Sequence, residues 1–251
     1  MSDLARRIVD DIVGLRPFAP REDEIKGLAH AYEVQHEVND TLIESAPGRR
    51  IVGYKIAFNR RSSMDYYGLS EPCYAPLFSD QVHASGAELA LAGFVDLVIE
   101  PEIALRLIAP VDTATSVEDL EHAVEALPAI EIMDARGAFA HDPSAAAAVA
   151  QRIHSEGAVL GIAVPFVASA DTAVRLSIDG TVAGEARNAA PQPPVEALKW
   201  RVSALARDGA ALEPGMVVLT GAHLPGRAIT SPGAIRVEIT PFGDVVLQLR
   251  P

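Results

Sequence analysis

The sequence predicts an α+β protein in which a helical N-terminal segment precedes a sheet-rich core. Three observations carry that expectation. Apolar residues at 4, 8, 9, 12 and 13 follow helical spacing, and a second stripe of Ile25, Leu28, Tyr32, Gln35, Val38 and Leu42 continues through residues 22–46 before fading at Pro47-Gly48. From Arg50 the pattern changes to short apolar runs, frequent enough to argue for a sheet. The chain therefore divides into a helical arm or cap over 1–49 and a core over 50–251 that forms one compact unit.

Within the core, strands are predicted at 51–58, 77–78, 95–108, 129–133, 158–164, 173–178, 216–220, 235–239 and 245–249. Helices are expected at 116–126, where Ser116 and Asp119 form a capping signal, at the alanine-rich stretch 143–154, and at 194–208. Asp179-Gly180 and Gly243-Asp244 read as hairpin turns, and Glu213-Pro214-Gly215 and Ser231-Pro232-Gly233 as turns into strands. The loop Gly221–Gly226 reads as an ordinary turn.

Composition narrows the function. The 251 residues carry 21 Lys and Arg against 34 Asp and Glu, a formal charge of -13, with no basic stripe, so nucleic acid is not an expected partner. No glycine-rich phosphate loop points to a nucleotide cofactor. Cys73, the single cysteine, excludes an internal disulfide and a cysteine zinc cluster and suits a reducing cytoplasm. The N-terminus has acids where a secretion signal is apolar, and the longest apolar run, 89–99, is broken by Asp96 and too short to span a bilayer. A soluble cytoplasmic protein is the expectation.

Against this background three glutamates stand out. Glu100 and Glu102 lie in Val98-Ile99-Glu100-Pro101-Glu102-Ile103, and Glu131 lies in Ala129-Ile130-Glu131-Ile132-Met133. Burying a lone carboxylate costs several kcal/mol or forces protonation, so three of them in apolar runs ask for a shared positive partner, most simply a divalent cation. Strand alternation places Glu100 and Glu102 on one face and Ile99 and Ile103 on the other. All-oxygen donors suit Mg²⁺ or Mn²⁺, not zinc. Pro101 lacks an N–H and predicts a sheet edge or a bulge here. The competing reading is a wet face with solvated glutamates.

The ordered set Gly53-Tyr54-Lys55-Ile56, Tyr67-Gly68-Leu69, Pro76-Leu77-Phe78, Glu100-Pro101-Glu102-Ile103-Ala104, Glu131-Ile132-Met133-Asp134-Ala135-Arg136, Val159-Leu160-Gly161 and Glu213-Pro214-Gly215-Met216 resembles the 2-keto-4-pentenoate hydratase and 4-oxalocrotonate decarboxylase family, a branch of the fumarylacetoacetate hydrolase superfamily. The resemblance implies a mixed β-roll core with an N-terminal helical part. It also implies a divalent metal on Glu100, Glu102 and Glu131, and lyase chemistry on short 2-oxo or 2-hydroxydienoic acids through a metal-stabilised enolate. Hydration or dehydration comes first, decarboxylation of a 4-oxalocrotonate-like acid second, and C–C hydrolysis third.

Lys55 matches the family's lysine in a Gly-Trp-Lys-Ile motif and is the candidate catalytic residue; on residues alone, a snorkelling strand-end lysine is an equal alternative. Two departures are expected to alter the pocket. Cys73 replaces the aspartate of a Pro-Asp-Phe-Gly motif, and Gln151-Arg152-Ile153-His154-Ser155 replaces a polar Asp-Asn-x-Ser-Ser stretch, which makes Cys73, Arg152, His154 and Ser155 weaker candidates for substrate contact. The rival reading is a non-catalytic homologue that binds metal or ligand without turnover. The apolar content, with relatives that resemble homo-oligomers, predicts self-association.

Overall fold

Ser2 accepts a hydrogen bond from the Ala5 amide at 3.2 Å, starting α1 (Asp3–Val13), whose apolar face buries Leu4, Ala5, Ile8 and Val9. The computed structural model describes residues 1–168 and 170–251. After α1 come α2 (Leu28–Glu44), β1 (Ile51–Ala57), α3 (Arg61–Tyr67), β2 (Cys73–Phe78), β3 (Val82–Ala84) and β4 (Ala87–Ala90). The middle of the chain forms β5 (Leu97–Leu107), α4 (Val117–His122), β6 (Val124–Asp134), α5 (Ala145–Ala150), β7 (Ser155–Leu160) and β8 (Val164–Pro165). The remainder forms β9 (Ala173–Ile178), β10 (Thr181–Arg187), α6 (Pro194–Arg207), β11 (Val217–Ala222), β12 (Arg227–Ala228), β13 (Gly233–Thr240) and β14 (Gly243–Arg250).

Two mixed sheets result. One runs in the order β2-β1-β11-β5-β6-β7-β3, with β12 joined to β5 and β8 to β6; the other runs β10-β9-β13-β14-β4. One face of the large sheet contributes Ile99, Ile103, Leu105, Ile130 and Ile132 to a core shared with Val174, Leu176, Val237 and Val245 of the second sheet and with Leu198 and Val202 of α6. The opposite face carries α1, α2 and α5 through Ile8, Val34, Val38, Ala75, Phe78 and Val149. Ile8 and Val38, with no exposed surface, each contribute roughly 1.5–3 kcal/mol of transfer free energy. Gln35 of α2 ties this layer to the sheet by donating to the carbonyls of Tyr74 (3.2 Å) and Val149 (2.8 Å).

Several expected boundaries move for identifiable reasons. The stretch 116–126 holds only the short α4, capped by Ser116 accepting from Asp119 N, because Val124–Leu127 are claimed by β6, which pairs along its full length with β5. The expected helix 143–154 ends at Ala150; Arg152, Ile153 and His154 then take φ of 57°, 48° and 59°, three successive left-handed residues without a glycine. Such conformations cost about 1–2 kcal/mol per residue and persist only where tertiary contacts impose them. Of the edge or bulge expected at Pro101, the edge is not found, since β5 is interior, whereas the bulge has its counterpart in the facing strand β11. Pro101 sits instead where β5 changes partner from β11 to β12, opposite a register shift between Leu219 and Ala222. The missing amide therefore leaves no ladder bond unmade, and the Pro101 carbonyl accepts from His223 N at 2.9 Å. Among the described residues no helix is long and apolar enough to cross a membrane.

Candidate metal centre and the cavities beside it

Glu100 and Glu131 are direct partners across β5 and β6, and Glu102 follows two residues on, so all three side chains leave the same face of the sheet. One carboxylate oxygen from each lies within 4.8 Å of the others. Glu102 and Glu131 are buried, while Glu100 is partly exposed. Lys55 enters from β1 on the same face, forms an ion pair with Glu131, and sets its Nζ 3.4 Å from Met133 Sδ. The snorkelling alternative for Lys55 is not realised, because the side chain is 2 % exposed.

One ammonium does not balance three carboxylates. Glu102 Oε2 accepts the Gly221 amide at 2.7 Å, but its Oε1 has no partner, and Glu131 Oε1 makes no well-directed hydrogen bond although it lies against Lys55. Burial, then repulsion from Glu131, pushes the Glu100 carboxyl up to about 7, with Lys55 opposing. Glu102 is raised well above the usual carboxylate range, first by burial and then by Glu131 and Glu100. Orphaned oxygens that would have to share protons form a donor set that fits a hard divalent cation.

The loop after β11 shapes the site, contrary to its reading as an ordinary turn. Gly221 (φ 111°) brings its backbone onto Glu102, and a Cβ there would fall 2.5 Å from both Asn59 Oδ1 and Pro191 Cγ. Gly226 lets the chain pass Glu100, where a Cβ would lie 3.0 Å from Oε1. Between them His223 is buried with neither ring nitrogen bonded, and burial lowers its pKa to about 4. Asn59, whose Nδ2 donates to Thr220 O at 2.9 Å, and Arg60, which donates to the carbonyls of Ala189 and Ala222, complete this wall. Sequence pattern missed Asn59, Arg60, Gly221 and His223; glycines bracketing a buried histidine were the available signal.

Glu100 borders two cavities. An outer cleft of 500 Å³ is lined by Asn59, Arg60, Ser63, Glu100, Ala222 and His223. An inner, more apolar cavity of 130 Å³ meets Lys55, Phe58, Tyr67, Glu100, Met133 and His154. His154 lies 5.9 Å from the Phe18 ring and 5.3 Å from Phe139, and burial lowers its pKa to about 3, so the imidazole is neutral with both nitrogens unpaired. A larger groove of 610 Å³ over β9 and β10 lies elsewhere; its Arg175 and Glu185 pair with each other, and none of the candidate residues reaches it.

The other sequence candidates separate. Arg152 stands apart from the carboxylates: its guanidinium donates to Asn39 Oδ1 (2.9 Å) and to the carbonyls of Ser155 and Pro76, and stacks 4.2 Å over Phe78. Ser155 pairs with Met133, which puts it on the glutamate face, buried with its hydroxyl unpaired. Cys73 packs against the N-terminal helices, and burial pushes its thiol up to about 12, which leaves it protonated and unreactive.

No family model matches the chain. Among curated proteins it is 32% identical over 238 residues to 2-keto-4-pentenoate hydratase 2 of Dechloromonas aromatica (strain RCB), covering 92% of this chain and 90% of the relative. It is 30% identical over 226 residues to a 4-oxalocrotonate decarboxylase of a Pseudomonas species, covering 89% and 87% of the two chains. Among solved structures, the 4-oxalocrotonate decarboxylase from Pseudomonas putida G7 complexed with magnesium and adipate superposes with a TM-score of 0.89 at 21% identity, over 98% of this chain and 96% of that one. The fumarylpyruvate hydrolase from Pseudomonas aeruginosa, in complex with Mn²⁺ and pyruvate, shares the fold at a TM-score of 0.59 and 18% identity, over 78% of this chain and 88% of that one. With near full-length coverage and the motifs in order, the chain belongs to the 2-keto-4-pentenoate hydratase and 4-oxalocrotonate decarboxylase family.

Proposed function

We propose that the protein is a lyase that hydrates or dehydrates a short 2-oxo or 2-hydroxydienoic acid, with Glu100, Glu102 and Glu131 holding Mg²⁺ or Mn²⁺ and Lys55 acting at the reacting carbon or oxygen. The observation that carries this reading is the buried trio of carboxylates sharing a single lysine, an arrangement whose charge is completed by a divalent cation. Such a cation supplies Lewis-acid stabilisation of negative charge developing on a 2-oxo acid. Glu131 orients the Lys55 ammonium, whose Nζ is placed at the inner cavity to give up or recover a proton. Phe58, Tyr67 and Phe139 exclude bulk water from that cavity, and the neutral His154 offers an unpaired ring nitrogen to a substrate hydroxyl or a bound water.

Decarboxylation of a 4-oxalocrotonate-like acid is the second reading. Its support is Arg60 on the wall of the outer cleft, a cation suited to a second carboxylate of the substrate. Self-association belongs to the same proposal and is measured by sedimentation.

Calorimetric titration of metal-free protein with Mg²⁺, with and without oxalate as an enolate mimic, tests the reading in wild type and Glu100→Gln. Oxalate that binds more tightly with Mg²⁺, and loses that gain in the variant, is the expected result. Absence of metal-dependent binding in the wild type removes the lyase mechanism; where binding is found, turnover of 2-hydroxypenta-2,4-dienoate against 4-oxalocrotonate separates its two forms.

A further inference from the structure

Another buried cation lies on the other side of the large sheet. Arg201 of α6 is fully buried, and Nε, Nη1 and Nη2 all lack a hydrogen-bond partner. Its central carbon stands 4.1 Å from the centre of the Tyr54 ring and 3.5 Å from that of Tyr74, two rings set edge to face at 79°. Tyr54 alternates with Lys55 along β1, so this aromatic corner is on the face turned away from the three glutamates. Cation–π contact satisfies the faces of a guanidinium but not the N–H groups at its edge, and a buried arginine with all three nitrogens unpaired calls for an acceptor.

The guanidinium nitrogens are closed off from solvent, so an acceptor reaches them only when neighbouring side chains give way towards the cavity beside them. Arg201 lines a cavity of 280 Å³ whose wall also includes Gln35, Ile51, Tyr54, Tyr74 and Leu205, with Asp40 and Asp208 at its polar side. Asp208 is engaged by the Tyr74 hydroxyl and makes no ion pair with Arg201, and Asp40 is exposed. Two acids near the cavity repel a dianion, while a monoanion can bring both oxygens to the guanidinium edge and lay its carbon chain against Ile51 and Leu205. The geometry points to a binding site for a small monocarboxylate on Arg201, separate from the candidate metal centre and from the reaction proposed for it.

Trp200, the only tryptophan, lines a neighbouring cavity and sits edge-on 6.4 Å from Tyr74, which is shared by both, so its fluorescence serves as the readout through that ring. The test titrates propionate, and separately inorganic phosphate, into protein held in EDTA, for wild type, Arg201→Lys and Glu102→Gln. Propionate is expected to give a saturable change, weakened about tenfold or more in Arg201→Lys because an ammonium cannot hold both oxygens, and unaltered in Glu102→Gln. No saturable change in wild type overturns the site. So does a preference for phosphate, an unaffected Arg201→Lys, or a loss in Glu102→Gln, which would place the carboxylate at the glutamates. If Arg201→Lys does not fold, a crystal of the wild type soaked in propionate decides: a carboxylate on the guanidinium supports the site, and an empty cavity overturns it.

Discussion

Lys55 and Glu131 form an ion pair whose side chains are 2 % and 1 % exposed, joining β1 to β6 across the intervening strands β11 and β5. A pair this deep contributes less as a source of stability than as a constraint, because each partner left alone is an uncompensated charge.

Lys55→Met is expected to lower turnover by about 10²–10⁴-fold, the usual worth of a positioned proton-transfer group. It is also expected to destabilise the protein in EDTA by about 3–5 kcal/mol through the stranded Glu131, with Mg²⁺ restoring part of the loss. Steady-state kinetics and thermal melts in EDTA and in Mg²⁺ check both parts.

Glu102→Gln removes one of three crowded carboxylates while keeping the side-chain shape and an acceptor for the Gly221 amide. At neutral pH the variant should melt no lower than wild type in EDTA and lose the rise in Tm that Mg²⁺ gives the wild type. A large loss of stability in EDTA alone would show that crowding of the carboxylates is not what weakens the metal-free protein.

The raised Glu100 carboxyl fixes a sign. Its folded pKa, about 7, lies above the unfolded value near 4.5, so the folded state holds a proton that the unfolded state has released. Metal-free protein should therefore lose stability as pH rises from about 4.5 to 7, and Mg²⁺ binding should release protons and tighten across the same window. Denaturant melts in EDTA and calorimetry in buffers of different ionisation enthalpy measure the two effects.

His154 acts in the opposite sense. Its folded pKa of about 3 lies below the unfolded value near 6.5, so the unfolded state binds the proton first and stability falls as pH drops from about 6.5 towards 3. Because this overlaps the Glu100 window, the comparison is between proteins. His154→Leu should flatten the acid side of the stability profile relative to wild type and leave the Glu100 slope in place.

Gly221→Ala is expected to lower both Tm and Mg²⁺ affinity, since a Cβ at that position falls on Asn59 and Pro191, the φ of 111° strains any residue but glycine, and a shift of the backbone moves its amide relative to Glu102. Mg²⁺ titration and a melt in EDTA separate the two losses.

The parts of this site legible in the sequence were those that break a local pattern. Acids inside apolar strands identified Glu100, Glu102 and Glu131, and alternation correctly put the first two on one face, because side-chain direction in a strand depends on the strand alone. Lys55 needed the family motif, since a lysine in an apolar strand has an equally good solvent-facing explanation. Asn59 and Arg60 were not legible, because they reach the site only where β5 exchanges β11 for β12, a long-range event with no local marker, and His223 had only its bracketing glycines, Gly221 and Gly226, to mark it. Arg152 and His154 were misplaced on a helix for a related reason: local alanine-rich propensity predicts its continuation, and tertiary contacts to Asn39, Pro76 and Phe78 overrule it.

That overruled turn bears on the order in which the inner cavity is built. A left-handed Arg152-Ile153-His154 segment has no tendency to form by itself, so it can settle only after α2 and β2 have supplied the partners of Arg152. The imidazole wall of the inner cavity is accordingly a late product of folding, assembled on a sheet already in place. Secondary structure is therefore expected to return before the inner cavity closes when the unfolded chain is allowed to refold, which circular dichroism and near-ultraviolet signals followed together would show.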